Sequence, residues 1–309
     1  MHLPSRVTVY EVGPRDGFQN LARFIPTESK IAFIDDLSRT GLPAIETTSF
    51  VSPKWVPQLS DAGEVMRRVH RREGTRYPVL VPNAIGMQRA LDAGVGEVAI
   101  FTAASETFNR RNINATIAES IARFEPVAEM ARQHDVRVRG YVSTAFGCPY
   151  QGDVPVETVV SVVGELFALG CIEVSVGDTI GVADPGQIRQ VVAALGGRHD
   201  LSTIALHLHD TYGRGLANVL AGLEAGITIF DSAAGGLGGC PYAPGASGNL
   251  ASEDLVAMLN RLDIETGVNL EALVQASARL ADATDLELPS RALAALRSRR
   301  RREPVTASA

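Results

Sequence analysis

The chain has 309 residues, of which 45% are hydrophobic and 21% are charged, and its formal net charge at pH 7 is −6. This composition predicts a globular protein with a core large enough for one or two domains. The acidic balance argues against a nucleic-acid partner, because nucleic-acid-binding domains usually present a basic patch. No apolar run approaches the roughly 20 residues that cross a bilayer, and the first residues lack the pattern of a secretory signal. We therefore expect a cytoplasmic protein with no membrane partner.

The cysteines and one basic run predict further properties of the chain. Cys148, Cys171 and Cys240 form an odd and sparse set, which predicts free thiols rather than a disulfide framework. A run of arginines at residues 297–302 lies near the C-terminus. Its position favours a solvated, frayed tail, and contact with an anionic partner is the alternative.

Short β-branched runs alternate with segments of helical periodicity along most of the chain. The first helical segment can begin at Thr27, presents Ile31, Ile34 and Leu37 on one face and ends at Gly41, as an amphipathic helix does. The β-branched runs predict eight strands, which begin at residues 7, 44, 77, 97, 136, 171, 204 and 227.

Eight apolar strands that alternate with helices predict an α/β protein with a buried parallel sheet. A (β/α)₈ TIM barrel fits this number of strands. An open doubly wound sheet is the alternative, although no G-x-G-x-x-G motif follows the first strand. Since no linker interrupts the chain, we predict a single domain over residues 1–309, with the barrel at about 7–250 and additional C-terminal helices and a basic tail at about 251–309.

The active site of such a barrel lies at the C-terminal ends of the strands. Each polar residue there also has a structural explanation, since acids form ion pairs and Asp178 could shape a turn. Their arrival from several strands at one end nevertheless predicts a site. They are Arg15 and Asp16 after the first strand, Glu46 on the second, Cys148 after the fifth, Asp178 on the sixth, His207 and His209 on the seventh, and Cys240 after the eighth.

His207 and His209 lie two residues apart on a predicted strand, so their imidazoles point to the same face. Shared coordination of one metal ion and a pair of hydrogen-bonded core histidines are equally compatible with this spacing. Asp16 could add a carboxylate oxygen and Asn249 an amide oxygen, which leaves positions open for substrate. Mixed nitrogen and oxygen ligands favour a divalent cation such as Mg²⁺ or Mn²⁺ over a closed structural zinc site.

Cys240 lies in a glycine-rich segment, residues 235–249, in which six of fifteen residues are glycine. Such a segment can turn sharply and let a ligand approach its backbone. A simple connector is the alternative. Its predicted place after the eighth strand favours a loop over the mouth of the barrel that carries the thiol.

Six longer motifs point to a known family. They are EVGPRDGFQN from residue 11, IETTSFVSPKWVPQLSD from 45, GYVSTAFGCPYQG from 140, GDTIGVADP from 177, HLHDTYGRGLANVLAGLEAG from 207 and GLGGCPYAPGASGNLASEDLV from 236. Over about residues 7–275 the chain resembles the 3-hydroxy-3-methylglutaryl-CoA (HMG-CoA) lyases. The resemblance implies a barrel that uses a divalent cation to cleave this thioester to acetyl-CoA and acetoacetate.

The resemblance also assigns roles to individual residues. The metal ligands of the family match Asp16, His207, His209 and Asn249, and its catalytic residues match Arg15, Glu46, Asp178 and Cys240. Asp178 would take or relay the hydroxyl proton, and Arg15 would stabilise the enolate oxygen. Glu46 would orient Arg15, and Cys240 would protonate the acetyl-CoA carbanion.

Three other hypotheses about the function stay open. A lyase of the same mechanism could act on a longer branched 3-hydroxyglutaryl-CoA, and isopropylmalate or homocitrate synthases and carboxyltransferase domains share part of the motif set. A noncatalytic metal-binding barrel is the alternative from another class. We expect a CoA thioester as the substrate partner and a homodimer as the assembly, with Arg23, Arg110 and Arg111 as candidates for phosphate contacts.

Overall fold

A computed structural model of the chain describes residues 3–238 and 248–302, with side chains as far as residue 299. The strands of this part lie in one parallel sheet. They are β1 (Thr8–Glu11), β2 (Ala44–Ile45), β3 (Thr48–Ser49), β4 (Val79–Leu80), β5 (Glu97–Ala103), β6 (Arg137–Ser143), β7 (Glu173–Asp178), β8 (Ile204–Leu208) and β9 (Ile229–Ser232).

The sheet closes on itself between β2 and β3. β1 pairs with β9 on one side and with β2 on the other, while β3 pairs with β4. In the two residues between them, Glu46 N donates to Glu11 O at 2.8 Å and Thr47 N donates to Pro78 O at 2.9 Å. The two short segments are therefore one barrel strand, and the ring contains eight. The predicted (β/α)₈ TIM barrel is confirmed, and the open sheet is wrong.

Helices surround the ring and extend beyond it. They are α1 (Thr27–Leu37), α2 (Ala62–Arg68), α3 (Ala84–Asp92), α4 (Glu106–Ile113), α5 (Ile117–Gln133), α6 (Val156–Leu169), α7 (Pro185–Gly196), α8 (Gly215–Glu224), α9 (Ser252–Arg261), α10 (Leu270–Thr284) and α11 (Arg291–Arg302). Local signals set several boundaries: Asp184 and Gln187 form a capping box at α7, and Gly170 ends α6 at a φ of +107°. Among the described helices, none combines the length and the apolar character that a membrane span requires.

The basic run that we expected to be frayed forms the end of α11 as far as residue 302. Arg297 Nη2 donates to Asp282 Oδ1 of α10 at 2.7 Å. Arginine has a high helix propensity, and this ion pair adds to the packing of α11 on α10. The helix therefore extends further along the chain than the composition of the run suggested.

A fully buried glutamate, Glu11, ties the end of β1 to the turn after β9. Its Oε1 accepts hydrogen bonds from Gly13 N and Ala234 N, both at 2.8 Å, and its Oε2 accepts one from Ser252 Oγ at 2.5 Å. Burial raises the pKa of Glu11 to about 7, although these hydrogen bonds act in the opposite direction. The carboxyl therefore gains a proton on folding in mildly acidic solution.

Glu253 holds the same turn from the other side. Its Oε2 accepts from Gly235 N at 2.7 Å, and its Oε1 accepts from Ser277 Oγ on α10 at 2.5 Å. Burial raises its pKa to about 7 as well, and the nearby Glu11 carboxylate adds to the rise. Two buried acids thus fix the backbone from which residues 239–247 depart.

We expect Glu11 to make the stability of the protein depend on pH. Its folded pKa of about 7 lies above the ordinary value of 4.5, so the unfolded carboxyl ionises first as the pH rises. The contribution of Glu11 to stability is present at low pH. It is lost as the pH rises from the unfolded pKa of 4.5 to the folded pKa of about 7. Glu11→Gln keeps the acceptor oxygen, adds a donor for Ser252 and has no ionisable proton.

Thermal melts of the wild type and of Glu11→Gln are the measurement. The Tm difference should shift in favour of the variant between about pH 5 and about pH 8. Glu64→Gln, at an exposed position of α2, is the control and should show a constant difference. A constant difference for Glu11→Gln too would contradict the prediction.

Candidate metal centre and active site

A tight turn after β1 carries the first two candidate residues. Residues Gly13–Gly17 form one turn of π-helix that includes Arg15 and Asp16. π-Turns often occur at functional sites because the extra residue changes the direction of the side chains. A Cβ atom on Gly17 would lie 2.6 Å from the Leu237 Cβ, so glycine allows this turn to pack against the segment after β9.

Arg15 is 6% exposed and is held by two carboxylates. Its Nε and Nη2 lie 2.8 and 2.7 Å from Glu46 Oε2, and its Nη1 donates to Asp16 Oδ1 at 2.5 Å. Tyr141 Oη donates to the same Glu46 oxygen at 3.1 Å. Although burial lowers the pKa of Arg15, Glu46 and Asp16 raise it above its usual value. The arginine is therefore a fixed, permanent cation at the mouth of the barrel.

The two histidines meet Asp16 at the same end of the barrel. His207 lies on β8, and His209 follows it in a β-bridge with Asn249. One potential ligand atom from each of Asp16, His207 and His209 lies within 4.8 Å of the others. Asn249 Nδ2 donates to Asp16 Oδ2 at 2.8 Å. The four predicted metal ligands are thus together.

The donor atoms of this cluster suit a divalent cation. In the described part of the chain, Asn249 Oδ1 and His209 Nδ1 are buried without a hydrogen-bond partner, which is unfavourable unless a ligand or water binds them. Burial and the neighbouring His207 lower the pKa of His209 to about 3. Burial raises the pKa of Asp16, but Arg15 and the histidines bring it down to about 2. A neutral imidazole and an ionised carboxylate are the forms that bind metals.

Asp178 lies at the end of β7 with its side chain buried. Its Oδ1 and Oδ2 accept hydrogen bonds from Val182 N and Ala183 N, at 2.9 and 3.1 Å. Burial raises its pKa to about 6, against the effect of these bonds. The turn-shaping role that the sequence left open is therefore present in the structure. A carboxyl with this pKa could also exchange a proton near neutral pH.

A cavity of about 910 Å³ opens onto the cluster, and Arg15, Asp16, His207 and His209 line it. Tyr141 lines it too, and it is a site residue that we did not predict. It shares a face of β6 with Arg139 and Ser143, as the strand period of two dictates. The apolar part of the wall includes Val51, Leu80, Phe101, Phe108, Phe124 and Val142.

The remaining candidates fall in different places. Arg111 lines the cavity, and its Cζ lies 4.2 Å from the centre of the Tyr150 ring. Cys148 is buried, with its Sγ 3.0 Å from Ser105 Oγ, and Cys171 is a second free, buried thiol. The prediction of free thiols is confirmed for these two. Cys240 lies outside the described residues.

The chain is similar in sequence to one well-defined family. A family model described as HMGL-like matches residues 6–280. A Pseudomonas aeruginosa protein named 3-hydroxy-3-isohexenylglutaryl-CoA/hydroxy-methylglutaryl-CoA lyase is 52% identical over 96% of this chain and 99% of its own length.

Solved structures agree with this relationship. The crystal structure of the Bacillus subtilis HMG-CoA lyase has a TM-score of 0.95 and 49% identity, and the match covers 96% of this chain and 100% of that one. The structure of an HMG-CoA lyase from Acinetobacter baumannii in complex with coenzyme A and 3-methylmalate has a TM-score of 0.89 and 40% identity, with 93% and 94% covered. With its barrel, its clustered ligands and a family match over most of its length, the chain belongs to the HMGL-like family.

Proposed function

We propose that this protein is an HMG-CoA lyase that cleaves 3-hydroxy-3-methylglutaryl-CoA to acetyl-CoA and acetoacetate. The observation that carries the proposal is the fixed Arg15 cation beside the Asp16, His207 and His209 cluster at the end of an open cavity. Relatives at about half identity over most of the chain carry this name. The predicted function thereby agrees with both the site and the family.

The family is metal-dependent, and Asp16, His207, His209 and Asn249 would hold the cation. When bound, a divalent ion polarises the hydroxyl and carbonyl oxygens of a substrate. The mixed imidazole, carboxylate and amide donors support Mg²⁺ or Mn²⁺ as the proposed cation. These ligands come from β8 and from the two segments that follow β1 and β9, which a closed barrel brings together.

Arg15 would stabilise the negative charge that bond cleavage leaves on the thioester, and Glu46 would orient Arg15. The guanidinium donates fixed hydrogen bonds and stays charged at any physiological pH. Glu46 keeps it in one orientation through the 2.7 and 2.8 Å contacts described above. Donors that are ordered before the reaction stabilise developing charge without the cost of reorganisation. Asp178 is the candidate that accepts or relays the hydroxyl proton.

Cys240 is the proposed donor of the proton to the acetyl-CoA carbanion. The segment that contains it leaves the described structure at Gly238 and returns at Gly248. Gly238 O accepts from Asn249 N at 3.3 Å, and Gly248 O accepts from Asp210 N at 2.7 Å. Both ends are therefore anchored beside the proposed metal ligand Asn249. Arg111, on the cavity wall, is the candidate for a CoA phosphate.

The first experiment measures acetoacetate formation from HMG-CoA and its dependence on metal. Chelation of divalent ions should abolish turnover, because it removes the cation that polarises the hydroxyl and carbonyl oxygens of the substrate, and added Mg²⁺ or Mn²⁺ should restore it. Thermal melts before and after chelation verify that the chain stays folded. No acetoacetate in the metal-loaded protein would contradict the proposal, and thioester condensation or carboxyl transfer would support the rival enzymes.

One observation favours a second candidate substrate. The Pseudomonas aeruginosa relative is named for both the isohexenyl and the methyl compound, and the cavity of this chain has an apolar wall that could contact a longer C3 substituent. Comparing kcat/KM for the two thioesters tests this alternative directly. A higher value for the longer compound would replace the methyl compound as the preferred substrate.

A further inference from the structure

A second buried carboxylate approaches His207 from inside the barrel. Asp231 lies on β9 directly opposite His207 in the strand register. Its side chain is fully buried, and its Oδ2 lies 3.3 Å from His207 Nδ1. Ser175 Oγ on β7 donates to the same oxygen at 2.7 Å. Neither Asp231 nor Ser175 is among the described residues that line the cavity.

Arg139 on β6 fixes the position of Asp231. Its Nη2 donates to Oδ1 at 2.7 Å and its Nη1 to Oδ2 at 3.2 Å, while its Nε donates to Glu173 Oε1 at 2.5 Å. The guanidinium Cζ lies 3.9 Å from the centre of the Tyr10 ring and 4.8 Å from that of Tyr141. Arg139 is 1% exposed, and these contacts hold its guanidinium in place.

We infer that Asp231, held by Arg139, is a positioning residue that sets the ring orientation and the tautomer of the metal ligand His207. This inference rests on the proposed function, because it concerns how the same site holds its cation. A neutral imidazole carries one N–H, and a carboxylate at Nδ1 places that proton on Nδ1. The lone pair then lies on Nε2, the ring nitrogen that remains for the metal.

The two histidines differ in this respect. Both Nδ1 atoms are buried without a well-formed hydrogen bond to a described residue, but His207 Nδ1 lies 3.3 Å from the Asp231 carboxylate. The 3.3 Å distance is longer than a well-formed hydrogen bond, and the alignment is imperfect. His207 is therefore the ligand whose affinity for the cation depends on a residue outside the cavity.

The test is Mn²⁺ binding without substrate, followed through the electron paramagnetic resonance signal of free Mn²⁺. Asp231→Asn retains the shape of the side chain but can present an amide N–H to His207 Nδ1, which favours the wrong tautomer. We expect its Kd for Mn²⁺ to rise by about 10–100-fold, the usual effect of losing such a partner. A Kd within about twofold of the wild type would overturn the inference.

Glu97→Gln is the matched control, because it weakens another buried ion pair of the barrel. Glu97 begins β5 and accepts from Arg76 Nη1 at 2.7 Å through both oxygens. We expect a lower Tm and an unchanged Kd for Mn²⁺. Equal weakening of Mn²⁺ binding in both variants would show that Asp231 has a structural role alone. A wild type that binds no Mn²⁺ would refute the proposed metal-dependent function itself.

A measurement on the wild type covers the case in which Asp231→Asn does not fold. In the Mg²⁺-loaded protein with ¹⁵N-labelled histidine, the two ring nitrogens have distinct resonances, which His207→Asn assigns by their loss. The inference requires the proton of His207 on Nδ1. A proton on Nε2 would overturn it.

Discussion

Replacement of Arg15 by methionine is expected to lower kcat by about 10²–10³-fold, the typical effect of losing one donor to a developing oxyanion. The KM for the thioester should change much less, because the charge that Arg15 meets forms during bond cleavage. Arg15 is buried and already oriented by Glu46 and Asp16. It can therefore act on the transition state without first rearranging.

Arg15→Lys separates charge from geometry. Lysine retains the cation but cannot donate to Glu46 and Asp16 as a planar fork, so its kcat should lie between those of the wild type and the methionine variant. Thermal melts are needed beside the kinetics, because Arg15→Met leaves two carboxylates without their cation. Arg189→Met, which removes a half-exposed pair with Glu224 on the barrel surface, is the control. An Arg15→Met enzyme with kcat within about tenfold of the wild type would contradict the assignment.

The second large effect is expected at the thiol. Cys240→Ala should lower kcat by about 10²–10⁴-fold, the range for loss of a general acid, while Mn²⁺ affinity stays unchanged. Cys148→Ala is the matched control, because that thiol is buried beside Ser105 and should be dispensable for turnover.

Rescue of the alanine variant by small added acids refines this experiment. If Cys240 delivers the proton, residual turnover of the alanine variant should become sensitive to small added acids that replace the donor. Full activity in Cys240→Ala would assign protonation to another group. Loss of Mn²⁺ binding in the same variant would instead indicate damage to the metal centre.

The sequence predicted the barrel because its strands are buried on both faces and alternate with helices, and both features are local. The pair His207 and His209 was predicted for the same reason, since a spacing of two on a strand places both rings on one face. The break at Glu46 and Thr47 was not predictable, because it depends on which neighbouring strands the chain meets after folding.

The residues that support the site were also missed for physical reasons. Arg139 and Asp231 lie 92 positions apart in the chain, and each alone reads as an ordinary charged residue on a strand. Asp178 illustrates the opposite case. The sequence placed it correctly at the end of a strand, but its hydrogen bonds to Val182 and Ala183 depend on the shape of the following turn.

The residues of the proposed site come from both ends of the barrel sequence and meet only where β1 pairs with β9. Glu46 lies between β2 and β3, where the backbone stops pairing with the β1 side of the barrel and begins to pair with the β4 side. Arg15 and Asp16 come from the first βα unit, whereas His207 comes from the seventh, so neither half of the barrel contains a complete site. The proposed site is therefore complete only in the assembled ring. A chain that stops at the end of β9 still lacks Asn249, so the proposed site needs both this pairing and the segment that follows β9.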